Sequence, residues 1–360
     1  MKIGIIGLPT VGKTTLFNLL TGASAETGMF FGEDREVNLH KAPVPDERID
    51  QLTTLCNPKK VTYAKIEFAD IPGLNPDAGK EANRKFLSDV QDAEALVHVV
   101  RAFSDPSVPF IYEELNPLRD LEQIHGELLL ADMALVETRL ERIAENKKPR
   151  PEEVYEQSAL KKYQAALEEE MPLSAVELTE QEKAAVYSLS FLTVKPMVIV
   201  VNCDEDAPAS GEFPQSQKVR AYAEAHGAPL VVVSAKIEAE INTMDPDDRV
   251  EFLQELGIDE PGLGKVTKAA YASLGLISFL TVGKDEVRAW PIKQGTTARK
   301  AAGKIHSDIE RGFIRAEVVK FTDFIAAGSI EEAQKQGLAR LEPADYIMVF
   351  GDIVNFRFNV

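Results

Sequence analysis

Apolar residues recur along this chain in two different rhythms, and the change of rhythm marks its parts. From residue 1 to about 105, and again from about 196 to 275, short continuous apolar runs alternate with amphipathic stretches. The runs at Lys2 to Ile6, "YAKIEFAD" (63–70), "VIVVN" (198–202) and "VVVSAK" (231–236) read as buried strands that end in loops. Strands and helices in that order predict a mostly parallel sheet covered by helices, an α/β fold. Between the two segments the spacing turns helical. Leu121, Ile124, Leu128, Ala131 and Leu135 share a face within Leu118 to Ile143, and Ala159, Leu160, Tyr163, Ala166 and Leu167 form a second stripe. "ENKKPRPEE" (145–153) separates them with two prolines, which predicts an inserted helical hairpin or short antiparallel coiled coil.

From Ile277 onward short strands surround one helix, "TTARKAAGKIHSDIERG" (296–312). It has a Thr cap, a face of small residues and Ile, and Gly312 as its stop. The last strand alternates, with Val354, Phe356, Phe358 and Val360 on one face and Asn355, Arg357 and Asn359 on the other. A small α+β domain follows. The expected division is 1–117 with 191–276 for a discontinuous sheet domain, 118–190 for the insertion and 277–360 for the C-terminal domain.

Composition narrows the class. A length of 360 residues exceeds one ordinary core and fits two or three domains. No stretch is long and apolar enough for a membrane helix, so no membrane role is expected, and the N-terminus reads as a strand rather than a signal peptide. Cys56 and Cys203 are the only cysteines, which fits a reducing cytoplasm. The net charge of −18 argues against a coat on nucleic acid, and no sequence-specific DNA binding is expected. A local basic patch, such as Lys147, Lys148 and Arg150 at the hairpin tip, remains compatible with RNA. His98 lies in an apolar strand and is expected to be a satisfied core histidine. His40, His125, His226 and His306 are scattered and receive no role.

The first strand runs into "GLPTVGKTT" (7–15), which fits G-x-x-x-x-G-K-[ST] with the required strand before it and helix after it. Gly7 and Gly12 let the loop Leu8, Pro9, Thr10, Val11, Gly12 curl so that its N–H groups face phosphate oxygens. Lys13 reaches the β- and γ-phosphates, and the Thr14 hydroxyl ligates Mg²⁺. Thr15 lies in a helix whose positive end faces the same anion. The second run ends in Asp70 and continues "IPGL". Asp70 is placed to hold Mg²⁺ through a water, and the Gly73 N–H to sense the γ-phosphate. In guanine readers, a strand like 198–202 leads into Asn-Lys-x-Asp. Here it leads into Asn202, Cys203, Asp204 and Glu205. The extra methylene of Glu205 moves its carboxylate by about 1.5 Å from the guanine-reading position. Cys203 leaves a small apolar contact, and Asn202 can pair with adenine N6 and N7. Ser234, Ala235 and Lys236, after another apolar strand, resemble the base-edge loop of GTPase-like domains.

These anchors together resemble the Obg-like ATPase (YchF) family of translation-factor-related P-loop proteins. The resemblance extends through "VPDERIDQL" (44–52), "ELLLADMALVETRLER" (127–142), "IEAEI" (237–241), "FLQELGIDEPGL" (252–263), "GTTARKAAGKIHSDIERGFIRAEV" (295–318) and "GDIVNFRFNV" (351–360). It implies a Ras-like G domain, a C-terminal ubiquitin-like TGS domain, ATP preferred over GTP, and association with the ribosome or ribosomal RNA.

The chain departs from its expected pattern where water should be held. Ras-like proteins place a Gln after Asp-x-x-Gly. Here the residue is Leu74, a substitution the family shares. The family's proposed replacement, a His after the fourth strand, aligns with Phe110. No Thr occurs in 28–41, the first switch segment, and 75–86 keeps only Gly79 of a Gly-rich stretch. Lys13 and Gly73 are then the expected catalytic groups, with turnover slow unless a partner supplies the missing one. Three readings stay open: a ribosome-associated ATPase switch, an Obg-type GTPase, and a catalytically silent nucleotide-binding scaffold.

Overall fold

In the computed structural model, residues 1–25, 37–75, 79–146 and 150–359 are described. The strands in chain order are β1 (Lys2–Ile6), β2 (Asn38–Pro43), β3 (Lys60–Thr62), β4 (Lys65–Asp70), β5 (Ala95–Ala102), β6 (Met197–Cys203) and β7 (Leu230–Val233). β8 (Leu276–Val282), β9 (Glu286–Lys293), β10 (Phe313–Lys320), β11 (Arg340–Glu342) and β12 (Asp352–Phe358) follow. The helices begin with α1 (Lys13–Thr21), α2 (Glu47–Cys56), α3 (Gly79–Gln91), α4 (Pro117–Glu145), α5 (Pro151–Glu168), α6 (Glu180–Val186) and α7 (Ala207–Ser210). Then come α8 (Ser216–Ala225), α9 (Ala235–Thr243), α10 (Pro246–Glu255), α11 (Gly262–Ser273), α12 (Ala298–Ile305), α13 (Ser307–Arg311), α14 (Phe321–Ala327) and α15 (Ile330–Lys335).

Two compact units result: residues 1–40 with 67–270, and residues 41–66 with 271–360. In the first, β4, β1, β5, β6 and β7 lie side by side and parallel. Helices cover both faces of such a sheet, so its strands are mostly apolar without alternation, and all eight residues of β5 are buried. The register sets Ile5 beside Asp70, and Arg101 beside Asn202, which itself pairs with Val233. The polar residues that end the apolar runs therefore collect along one carboxyl edge, where ligands bind in open α/β sheets.

The insertion is a hairpin of α4 and α5, with Val136, Ile143, Ala159, Leu160, Tyr163 and Leu167 in its core. Ala131 and Leu135 are only half-buried, and Asp132 takes the central place in the stripe. Its carboxylate accepts from the Leu192 and Thr193 N–H groups, both at 2.8 Å, and from the Thr193 hydroxyl at 2.7 Å. The returning chain is thereby tied to α4. Arg150 opens α5, its N–H donating to Glu153 at 2.7 Å. Lys147 and Lys148 lie outside the described residues.

The second unit has the strand order β11-β10-β12-β8-β9-β3. Here the structure differs from the sequence-based division, which kept 41–66 with the N-terminal region. β3 pairs in parallel with β9, Lys60 beside Glu286, and Arg48 on α2 lies over the Phe350 ring at 3.6 Å. The core holds Phe279, Ile292, Ala316, Val318, Val354 and Phe356, with the small face Ala298, Ala301 and Ala302 pressed against it. The single helix expected over 296–312 is two. The chain becomes extended at His306, whose Nδ1 accepts from the Asp308 N–H at 3.1 Å and starts α13. Thr297 stands at the N-cap of α12 without a side-chain cap bond, while Gly312 ends α13 as expected. Phe358 is exposed at the end of β12, and Val360 lies outside the described residues.

Candidate functional site

At the carboxyl edge of the first sheet a cavity of about 1360 Å³ opens. Its walls come from the loops after β1, β4, β5, β6 and β7, so five strand ends that are remote in sequence meet at one place. Pro9, Thr10, Gly12, Lys13, Thr14, Thr15, Gly73, Asn202, Cys203, Glu205, Ser234, Ala235 and Lys236, all expected there, line it.

At the phosphate end Gly12 has φ 99°, in the left-handed region, and a Cβ on it would stand 2.4 Å from Asn202 Nδ2. Leu8 and Val11, expected among the binding residues, turn their side chains into the core and contribute backbone. The Leu8 carbonyl accepts from Lys13 Nζ at 2.6 Å. The Thr14 hydroxyl donates to Asp70 Oδ2 at 2.9 Å. Gly73 approaches the same point: a Cβ there would lie 2.6 Å from Lys13 Nζ and 2.9 Å from the Pro9 nitrogen. The two phosphate motifs therefore touch, and the touch requires a bare backbone. The Leu74 N–H holds the segment by donating to the Gly7 carbonyl at 3.2 Å.

Leu74 itself is 1% exposed and belongs to the core. Phe110 is half-buried and sits edge-on to Tyr112, with Arg101 over its ring at 5.1 Å. Neither presents a polar atom. The segment 28–36 and residues 76–78 lie outside the described residues, and with them most of the Thr-less switch and the start of 75–86.

At the base end, the structure adds bonds that the sequence did not show. Asn202 Nδ2 donates one hydrogen to the Val11 carbonyl and Oδ1 accepts from the Ala235 N–H, each at 3.0 Å, which leaves its second Nδ2 hydrogen and second Oδ1 lone pair for a base. It braces the phosphate loop against the base-edge loop. Cys203 packs in the core with Val100, Ile199, Val201 and Phe213, and its thiol donates to the Val233 carbonyl at 3.0 Å. Burial pushes that thiol up to about 12, so it stays protonated. Asp204 accepts from the Ser104 N–H at 3.2 Å. Glu205 forms an ion pair with Lys236, which holds the lysine ammonium above its usual range. Ser234 is buried at the start of α9.

The wall after β5 escaped the sequence reading. Phe103 to Val108 line the cavity. Arg101, buried at the strand end, donates to the Phe103 carbonyl at 3.2 Å and the Asp105 carbonyl at 3.3 Å, and lies over the Phe103 ring at 4.2 Å. The Thr10 hydroxyl donates across to the Pro109 carbonyl at 2.8 Å. The available signal was an arginine ending an otherwise apolar run, "ALVHVVRAF". His98 is buried, but its Nδ1 has no hydrogen-bond partner among the described residues, so it is not the satisfied core histidine expected. Burial first, then the charges of His125 and Lys13, lower its pKa to about 3 and keep it neutral. His125 and His226, distant in sequence, meet with ring centroids 4.7 Å apart, and His125 Nδ1 bonds the Tyr222 hydroxyl.

Two family models match the chain. One, described as a 50S ribosome-binding GTPase, covers residues 2–139. The other, a C-terminal YchF GTPase model described as a protein of unknown function, covers residues 276–359. The chain is 43% identical over 364 residues to the ribosome-binding ATPase YchF of Bacillus subtilis, covering all of both proteins. It is 41% identical to the protein of that name from Escherichia coli O157:H7, covering all of this chain and 99% of that one. The structure of the YchF GTPase of Schizosaccharomyces pombe matches with a TM-score of 0.86 at 29% identity, over 99% of this chain and 97% of that one. A GTP binding protein from Pyrococcus horikoshii OT3 shares the fold over the full length of both chains, at a TM-score of 0.59 and 22% identity.

Proposed function

The chain belongs to the YchF family, and from that premise we propose that it binds ATP in preference to GTP and hydrolyses it slowly, as a ribosome-associated switch in the cytoplasm. One observation carries the nucleotide part. The phosphate loop and the Asp70–Gly73 segment converge on Lys13, with Thr14 already bonded to Asp70. Bound phosphate oxygens would replace the Leu8 carbonyl as acceptor for Lys13 Nζ. The bare edge of Gly73 lets a γ-phosphate approach without a side chain between.

Mg²⁺ fits this site. A hydroxyl whose proton is taken by a carboxylate presents a hard oxygen, the donor type Mg²⁺ prefers, and Asp70 beside it suits a metal-bound water. When bound, the ion would supply positive charge that offsets the negative charge on the phosphates. Thr14 and Asp70 would hold it.

Slow turnover follows from the apolar burial of Leu74 and the ring packing of Phe110. A ribosomal group acting in trans would orient the water, as activators of GTPases do. Calorimetry with ATP and GTP in the presence of Mg²⁺, followed by single-turnover hydrolysis with and without ribosomes, tests the proposal. Tighter ATP binding and ribosome-stimulated turnover are expected. Lys13→Ala abolishes binding while the C-terminal unit stays folded. Equal, negligible hydrolysis in both single-turnover assays would leave only a binding scaffold.

A further inference from the structure

We propose that Lys236 is a specificity-determining residue of the base site: by pairing with Glu205 it withholds the carboxylate that would otherwise accept hydrogen bonds from guanine. The proposal rests on the nucleotide-binding reading of this cavity. Glu205 stands on the loop after β6, Lys236 in the first turn of α9, and both line the base end of the cavity. Oε1 of Glu205 contacts Nζ of Lys236, with the two side chains 55% and 72% exposed.

Guanine is read through its N1–H and exocyclic amine, which need an acceptor with two lone-pair directions. The other side chains of the 202–205 stretch bond to backbone. Asp204 Oδ1 takes the Ser104 N–H, Asn202 Oδ1 takes the Ala235 N–H, and the Cys203 thiol is turned to the Val233 carbonyl. Glu205 differs because its partner is a flexible side chain, which one substitution removes. Rotation about the extra methylene of Glu205, 55% exposed, would let a released carboxylate make up its displacement of about 1.5 Å, accept from guanine N1–H and face a lone pair on adenine N1. The direction of the effect follows: freeing Glu205 favours GTP.

The neighbourhood is acidic, since Asp105 and Glu240 also face Lys236. Removing the lysine leaves the rim more negative and weakens every nucleoside triphosphate. ATP and GTP carry the same charge, so their affinity ratio cancels this general loss and isolates the reading of the base.

Calorimetric Kd values for ATP and GTP with Mg²⁺ decide the matter for the wild type, Lys236→Met, Lys236→Arg, Glu205→Gln and the Lys236→Met/Glu205→Gln double variant. Lys236→Met is expected to lower the ATP-over-GTP ratio by about threefold, the scale of an exposed ion pair. Lys236→Arg, Glu205→Gln and the double variant are expected to keep the wild-type ratio. A ratio unmoved in Lys236→Met, or a shift that persists in the double variant, overturns the assignment. A role confined to stability would lower the melting temperature and leave the ratio alone, which also overturns it. Failure of the wild type to bind either nucleotide would overturn the reading of the cavity itself, a different result from binding with an unmoved ratio.

Discussion

Replacing Asn202 by Ala separates a brace from a reader. The substitution removes two hydrogen bonds of 3.0 Å, one to the Val11 carbonyl and one from the Ala235 N–H. Asn202 is 5% exposed, so both backbone partners lose their bond away from bulk water. Each such bond contributes about 0.5–1.5 kcal/mol net, and a stranded buried group costs about 1–3 kcal/mol. A loss of about 2–3 kcal/mol is expected in the protein without any nucleotide. For a unit of roughly 150–250 residues that corresponds to a fall of about 5–10 °C in Tm. Urea denaturation and differential scanning of the nucleotide-free protein measure it. A residue that only reads a base would leave nucleotide-free stability untouched. An Asn202→Ala protein that melts within about 0.5 kcal/mol of wild type would refute the brace, since surface substitutions fall in that range.

Three further outcomes follow from the site. Gly73→Ala puts a Cβ 2.9 Å from the Pro9 nitrogen, so the phosphate loop must yield by about 0.5 Å to reach an ordinary 3.4 Å contact. ATP affinity or turnover is expected to fall by at least about tenfold, given that a 1 Å misplacement costs about a hundredfold, and an unchanged kcat/KM would count against the close approach. Leu74→Gln, which restores the Ras-like residue, is expected to bring no gain in single-turnover rate and to cost about 2–4 kcal/mol of stability, because position 74 faces the core. His98 takes up a proton near 6.5 when unfolded but only near 3 when folded. Its contribution is therefore complete above pH 6.5 and is lost as pH falls toward 3, with a slope of up to about 1.4 kcal/mol per pH unit. His98→Leu should flatten the stability profile between pH 7 and 5 by that amount, read from urea melts at each pH.

What the chain disclosed in advance was whatever repeats with a short period or carries a local motif. The buried strands announced themselves because a sheet covered on both faces admits apolar residues without alternation, and β5 is buried throughout. Gly7 to Thr15 and Asp70 to Gly73 were legible because phosphate chemistry dictates residue types at fixed spacing. The bonds of Asn202 to Val11 and of Cys203 to Val233 were not, since the same side chain can bond a neighbouring loop as well as a ligand, and only the fold shows which loop is near. Arg101 was silent for a related reason: its partners are the carbonyls of Phe103 and Asp105, and a carbonyl leaves no mark on composition. Asp132 broke the apolar stripe of α4 because two N–H groups some 60 residues away needed an acceptor.

The pairing of β3 with β9 bears on how the protein is made. Lys59 and Asp285, at the start of that pairing, are 226 residues apart. At about 5–20 residues per second, β3 leaves the ribosome about 10–45 s before its partner exists. During that interval the 41–66 segment has no second unit to join. A fragment beginning at residue 271 lacks β3 and α2, and with them the edge strand beside β9 and the arginine that rests on Phe350. Completion of this unit is thus the last folding event the order of synthesis allows, although part of it is among the first residues made.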